Sequence, residues 1–115
     1  MGISSPGVLA QGATQTAAGK PAVILVVGDS LSAEYGLARG TGWVALLEKQ
    51  LAQEKINAKV INASVSGETT SGGRSRLAAL LQQHQPSQVV IELGGNDALR
   101  GLPLQNTQDN LSFMA

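Results

Sequence analysis

The sequence predicts an α/β fold in three layers, with helices on both faces of a doubly wound parallel sheet. Three observations carry this. Strand-like and helix-like segments alternate from Pro21 onward. The first strand, "AVILVV" (22–27), is continuously apolar and mostly β-branched, the mark of a strand covered on both faces. The three segments that follow the strands are all rich in glycine and small polar residues, and ligand-facing loops of such sheets lie there.

The elements follow in order. "GWVALLEKQLAQE" (42–54) spaces Trp43, Leu47 and Leu51 four apart, with Val44 and Leu46 beside them, so a helix is expected with Thr41 as its cap. "AKVINAS" (58–64) reads as a second strand. "GRSRLAALLQQH" (73–84) repeats Leu77, Leu80, Leu81 and His84 at helical spacing, and Pro86 stops it. "SQVVIEL" (87–93) is a third strand, and "LQNTQDNLSFMA" (104–115) begins a further helix. The first strand is the most apolar and should be central, so the expected order is 2-1-3. That order puts a topological switch point between strands one and three.

Residues 1–20 stand apart. They are small and polar, with Lys20 as the one charge, and read as a flexible tail or a signal remnant. "GVLAQGA" resembles the end of a secretory signal, which gives a periplasmic or secreted expectation, but the basic and long apolar regions of a full signal are absent. Residues 21–115 then form one domain. Balanced charge argues against a nucleic-acid surface, and the lack of cysteine removes disulfides, thiolate zinc sites and a cysteine nucleophile. No apolar run approaches the ~20 residues of a membrane-spanning helix.

Three segments meet at the expected cleft: "GDSLS" (28–32), "NASVSGETT" (62–70) and "ELGGNDALRG" (92–101). Singly they are ordinary. A serine after a strand caps helices, a glycine there makes turns, and Asn-Asp is a loop pair. In this order, at successive strand ends, they resemble the SGNH or GDSL hydrolases, nearest to the thioesterase I and arylesterase branch. The resemblance covers residue 22 to the end and implies a three-layer, flavodoxin-like parallel sheet, here truncated after about three strands. It implies an ester or thioester hydrolase acting through an acyl-serine. Ser30 matches the nucleophile. The Ser30 N–H, the Gly67 N–H and the Asn96 side chain match the oxyanion hole. No metal or organic cofactor is implied, and the implied partner is a small acyl ester or thioester. Leu99, Leu102 and Pro103 are candidates for an acyl pocket, because family members carry a mobile loop there.

Asp29 and Asp97 read as structural carboxylates, Arg39 and Arg100 as solvated, and Trp43 as core. The family supplies its general base from an Asp-x-x-His block near the C-terminus, which this chain lacks. Its single histidine, His84, ends a helix running antiparallel to the strands. A helix of that length puts it ~15–20 Å from Ser30, whereas proton transfer needs ~3 Å. His84 is better read as a last-turn residue facing the helix dipole. Two functional readings follow: an acyl-serine hydrolase, or a catalytically incomplete scaffold that binds a complementing chain or acyl ligand through its site and the open edge of "VVIEL". A phosphate- or nucleotide-binding reading lacks both the G-x-G-x-x-G and the P-loop pattern.

Overall fold

The computed structural model describes residues 21–115. The expected tail or signal remnant, residues 1–20, lies outside them. Three strands form one parallel sheet. They are β1 (Ala22–Gly28), β2 (Ala58–Asn62) and β3 (Gln88–Glu92), in the spatial order β2-β1-β3. The predicted order of 2-1-3 is therefore correct. Register runs from Ala22 opposite Ala58 to Val26 opposite Asn62 on one side, and from Ile24 opposite Gln88 to Gly28 opposite Glu92 on the other.

Parallel neighbours need crossovers, and α1 (Trp43–Gln53) and α2 (Thr70–His84) supply them. Because β2 and β3 flank β1 on opposite sides, right-handed crossovers place these helices on opposite faces. A short α3 (Gly95–Leu99) and a longer α4 (Leu104–Met114) follow β3. Leu25 and Val27 point to the face where Leu77 of α2 and Met114 of α4 close the main core. Ile61, Ile91, Leu80 and Leu111 pack around them. Alternation turns Val26 to the other face, the side of α1. Each such buried aliphatic side chain contributes roughly 1.5–3 kcal/mol. This explains why β1 must be apolar throughout.

Several boundaries differ from the sequence expectation. β2 ends at Asn62 and not at Ser64. Helix α2 starts at Thr70, three residues before the expected Gly73, with the Thr69 hydroxyl accepting from the Gly72 N–H at 3.3 Å. Two glycines in the first turn conceal that start, because glycine carries no helical signal. Thr41 does not cap α1. The N-cap is Gly42, and the Thr41 hydroxyl donates to the Ala38 carbonyl. The Glu34 carboxylate takes the loop N–H groups instead, accepting from Gly40 at 2.9 Å and Gly42 at 2.8 Å.

At the amino edge of the sheet, the Ser87 N–H donates to the Val23 carbonyl at 2.9 Å, and the Val23 N–H donates to the Ser87 hydroxyl at 3.1 Å. Among the described residues β3 pairs only with β1, and Val89 and Val90 are each 38% exposed. The open edge expected of "VVIEL" is present. No helix among the described residues is long and apolar enough to cross a membrane.

Gly28 is the last residue of β1, and its missing side chain is a packing requirement. A Cβ there would lie 2.6 Å from the Ser32 Oγ and 2.9 Å from the Glu92 Oε1. Gly28→Ala should therefore destabilise the fold by about 1–3 kcal/mol, the range for overpacking a tight site. A urea unfolding midpoint unchanged from wild type would contradict this packing.

Candidate active site

β1 ends at Gly28, and the chain turns at once. The Asp29 Oδ1 accepts from the Leu31 N–H at 3.0 Å, two residues on, which is an Asx-turn. The Asp29 carbonyl accepts from the N–H groups of Ser32 at 3.1 Å and Ala33 at 2.9 Å. Asp29 is 3% exposed, so its carboxylate fixes the turn from within. Its expected structural role is what the contacts show. Ser30 is carried half-buried at the carboxyl edge of the sheet.

The second segment leaves β2 and runs beside this turn. Asn62 donates its side-chain N–H to the Ser32 carbonyl at 2.8 Å, and the Val65 N–H donates to the Gly28 carbonyl at 3.0 Å. The chain then reverses at Ser66 and Gly67, closed by the Glu68 N–H on the Val65 carbonyl at 3.1 Å. Gly67 has φ +83, the left-handed region that the third residue of a type II turn requires and that glycine adopts without strain. Among the described residues, neither the Ser30 N–H nor the Gly67 N–H has an acceptor.

The third segment leaves β3 as a turn of helix rather than the loop expected for 94–103. Asn96 lies in α3 and donates one side-chain N–H to the Glu68 carbonyl at 2.9 Å. An amide carries two such donors, so one is left over. Arg100, expected to be solvated, is exposed but donates to the Gly67 carbonyl at 3.2 Å. The turn carrying Gly67 is thus held by two donors from α3 and its C-cap, Asn96 on the Glu68 carbonyl and Arg100 on the Gly67 carbonyl. Ser30, Gly67 and Asn96 stand at the same edge of the sheet, joined through Gly28, Val65 and Glu68 by short hydrogen bonds.

The profile of the GDSL-like Lipase/Acylhydrolase family matches residues 26–115, and all three segments fall within it. The chain belongs to this family.

Among relatives of this GDSL-like chain is Esterase TesA of Pseudomonas aeruginosa. The two are 55% identical over 102 residues, covering 89% of this chain and 50% of that protein. The Escherichia coli protein named Thioesterase 1/protease 1/lysophospholipase L1 is 50% identical over 88 residues, covering 76% of this chain and 41% of the relative. The crystal structure of TesA superimposes with a TM-score of 0.78, over 80% of this chain and 51% of that one. Esterase EstA from Pseudoalteromonas, solved with monoethylphosphonate as inhibitor, gives 0.75 at 50% identity, over 80% of this chain and 50% of that one. The GDSL-like chain therefore spans about half the length of the relatives it matches. The fold is the N-terminal part of the hydrolase fold these structures share.

Leu99, Leu102 and Pro103 are all exposed at the rim, Leu99 by 86%. Leu31, Tyr35 and Leu37 in the segment after Ser30, and Leu104 after Pro103, are exposed too. Sequence reading missed these four: Leu31, Tyr35 and Leu37 lie in a segment without periodicity, and Leu104 opens a helix whose first residue carries no sign of facing the rim. His84 sits at the other edge: it ends α2 just before Ser87, which is bonded to Val23 at the start of β1. From Val23 to the end of β1 the strand climbs ~16 Å, so His84 is no base for Ser30. Among the described residues no three histidine, aspartate or glutamate side chains gather as metal ligands.

Two carboxyl groups, Asp97 buried and Glu92 half-buried, frame the edge with opposite character. Asp97 is 2% exposed. Burial pushes its carboxyl up, but hydrogen bonds from the Thr70 hydroxyl (2.6 Å), the Thr70 N–H (2.9 Å) and the Thr107 hydroxyl (3.1 Å) outweigh it and hold Asp97 below the usual carboxylate value. Glu92 is raised, mainly by burial, with the neighbouring Asp29 carboxylate adding to the rise. Its Oε1 accepts from the Ser32 hydroxyl at 2.7 Å and the Asp29 N–H at 3.4 Å. The Ser32 Oγ in turn accepts from the indole N–H of Trp43 at 2.9 Å, so Trp43 is more than core. Sequence reading passed over Glu92. The available signal was one carboxylate ending an apolar strand.

Asp97→Ala should cost at least about 2 kcal/mol, because it strands the buried Thr70 N–H and two hydroxyls. The lowered value of Asp97 fixes the pH dependence. The folded state favours its ionised form, so its stabilisation is complete above the ordinary value of 3.8 and fades as pH falls below it. The gap between wild-type and Asp97→Ala unfolding free energies should be wide at about pH 6 and narrow at about pH 3. Urea titrations of both proteins at the two pH values measure it.

Proposed function

We propose that this chain carries the nucleophile and oxyanion donors of a carboxylic ester or thioester hydrolase. The observation that supports it best is the common sheet edge shared by Ser30, Gly67 and Asn96, with two backbone N–H groups that have no acceptor among the described residues. In this reading the Ser30 Oγ attacks the acyl carbonyl. The C–O π bond opens, and negative charge collects on the carbonyl oxygen. The N–H groups of Ser30 and Gly67 and the remaining Asn96 N–H stabilise that charge, each contributing on the order of 3–4 kcal/mol in comparable sites. Collapse expels the alcohol or thiol and leaves an acyl-Ser30 ester, which water then hydrolyses. The exposed leucines at the rim suit an acyl chain more than a charged substrate. A periplasmic or secreted setting belongs to the same proposal and rests on "GVLAQGA" alone.

The Ser30 proton needs an acceptor. His84 is at the wrong edge, so the base must come from polypeptide other than residues 21–115. That requirement, with the exposed β3 edge, favours a second reading in which these residues alone bind a complementing segment or an acyl ligand without turnover.

Hydrolysis of p-nitrophenyl butyrate distinguishes the two. It is measured on the 115-residue chain and its Ser30→Ala variant, with and without the separately produced C-terminal half of Pseudomonas aeruginosa TesA. Turnover that appears on mixing and is absent with Ser30→Ala supports the hydrolase reading. Turnover retained in Ser30→Ala sinks it. In the active mixture Asn96→Ala should lower kcat by about 10²–10³ with a small change in KM, as for loss of one oxyanion donor. A matched loss from KM alone would assign Asn96 to substrate binding instead.

A further inference from the structure

Glu92 is the last residue of β3 and lies opposite Gly28 in the register. Its side chain reaches across the end of the central strand to the turn that carries Ser30. It meets that turn on both sides of the serine. On one side its Oε1 accepts from the Asp29 N–H, and on the other from the Ser32 hydroxyl.

The direction of the chain of bonds is fixed by chemistry. An indole N–H can only donate, so the Trp43 bond makes the Ser32 Oγ an acceptor there. The single Ser32 proton is therefore free to go to Glu92, 2.7 Å away. Ser32 is 1% exposed and Asp29 3%, so water does not compete for these groups. The absent side chain of Gly28 makes the approach possible, since a Cβ there would lie within 3 Å of both Glu92 and Ser32.

We propose that Glu92 is the positioning residue of the Ser30 turn, holding Asp29 and Ser32 so that the serine between them keeps one orientation. The inference deepens the hydrolase reading and rests on Ser30 being the reacting group. Glu92 touches no substrate. It acts as an acceptor, and a neutral glutamine carbonyl could replace it, whereas alanine could not.

The test has two arms. The first does not need turnover. Amide hydrogen exchange and the indole N–H resonance of Trp43, the chain's single tryptophan, are followed by NMR in the full chain. In Glu92→Ala the Asp29 amide should exchange about tenfold faster, the effect of one lost hydrogen bond on local opening, and the indole resonance should move. The Leu25 and Val26 amides should keep their protection. Glu92→Gln should resemble wild type in all three. The second arm uses the active mixture. Glu92→Ala should lower kcat about a hundredfold with KM within about twofold, the cost of a nucleophile displaced by an ångström, and Glu92→Gln should recover most of it.

Unchanged Asp29 exchange in Glu92→Ala overturns the proposal, as does a glutamine variant no better than alanine in both arms. If Glu92→Ala fails to fold, Ser32→Ala decides, because it removes the hydroxyl that anchors Glu92. Faster Asp29 exchange is then expected, and none overturns the proposal. Wild type without turnover in any mixture would remove the hydrolase reading, while the exchange arm would still decide whether Glu92 holds the turn.

Discussion

The carboxyl edge of this sheet depends on one buried carboxylate. Asp97 accepts three hydrogen bonds from two elements, the Thr70 N–H and hydroxyl at the start of α2 and the Thr107 hydroxyl in α4. Asn110 adds a bond to the Thr70 hydroxyl at 3.1 Å, closing the group. The start of α2 fixes where the turn with Gly67 sits, and α3 fixes where Asn96 sits. Both are tied to Asp97, the second as its sequence neighbour. Burying a carboxylate costs several kcal/mol unless its lone pairs are satisfied, and here donors reach both of its oxygens. Without that satisfaction the first turn of α2 would lose its bonds to α3 and α4, and the loops would keep only part-buried contacts such as Asn62 with Ser32 and Asn96 with Glu68.

Glu92 and Asp97 sit in the same short segment, and their surroundings push their carboxyls in opposite directions. Asp97 has donors enough to favour its anion. Glu92 has two donors, which favour its anion, but partial burial and the acidic neighbour Asp29 outweigh them and raise its carboxyl above the usual value. The contrast follows from what faces each group. Asp97 looks toward a helix start, where N–H groups are unpaired and partial charge is positive. Glu92 looks toward the end of β1, where the neighbouring side chains are a serine and an aspartate. Five residues apart, the two carboxyls serve different purposes: one knots helices together, the other grips a turn.

How much of this was legible in the sequence depends on what each feature's signal is made of. Strand order was legible, because continuous burial of 22–27 marks a central strand and short alternating segments require crossovers. The placement of Ser30, Gly67 and Asn96 at one edge was legible for the same reason: each follows a strand. The start of α2 was not, because Gly72 and Gly73 erase helical propensity where tertiary bonds from Asp97 supply the stability. Helix α3 was hidden among glycines in the same way. Thr41 carried a capping signal, yet no side chain caps α1, and Glu34, eight residues before Gly42, instead holds the Gly40 and Gly42 N–H groups of the entering loop, a contact that only the folded turn creates. Glu92 was obscured because a carboxylate at a strand end reads as solvent-facing until the missing side chain of Gly28 is seen to make room for it.

The division of labour in this half of the fold has a physical logic. Oxyanion donors must be stationary before reaction begins, because their value lies in dipoles that need not reorganise. The groups proposed for that role are all backbone or amide donors set by turns, and the turns are fixed by contacts among β1, β2, β3 and the first turns of α2 and α3. A general base has the opposite requirement. It must approach the serine hydroxyl within hydrogen-bond reach and change its charge during the reaction. None of the rigid elements around Ser30 presents such a group. The carboxyls of Asp29, Glu92 and Asp97 nearby are already engaged, with the Leu31 N–H, with Ser32 and the Asp29 N–H, and with Thr70 and Thr107 respectively, and the single imidazole is at the opposite edge. The edge of β3 away from β1, unpaired among the described residues, is the side from which further polypeptide could pair with the sheet, since an unpaired parallel edge satisfies its backbone groups by adding a strand. A base delivered from that side would arrive next to β3, where Glu92 and Asn96 already border the serine turn.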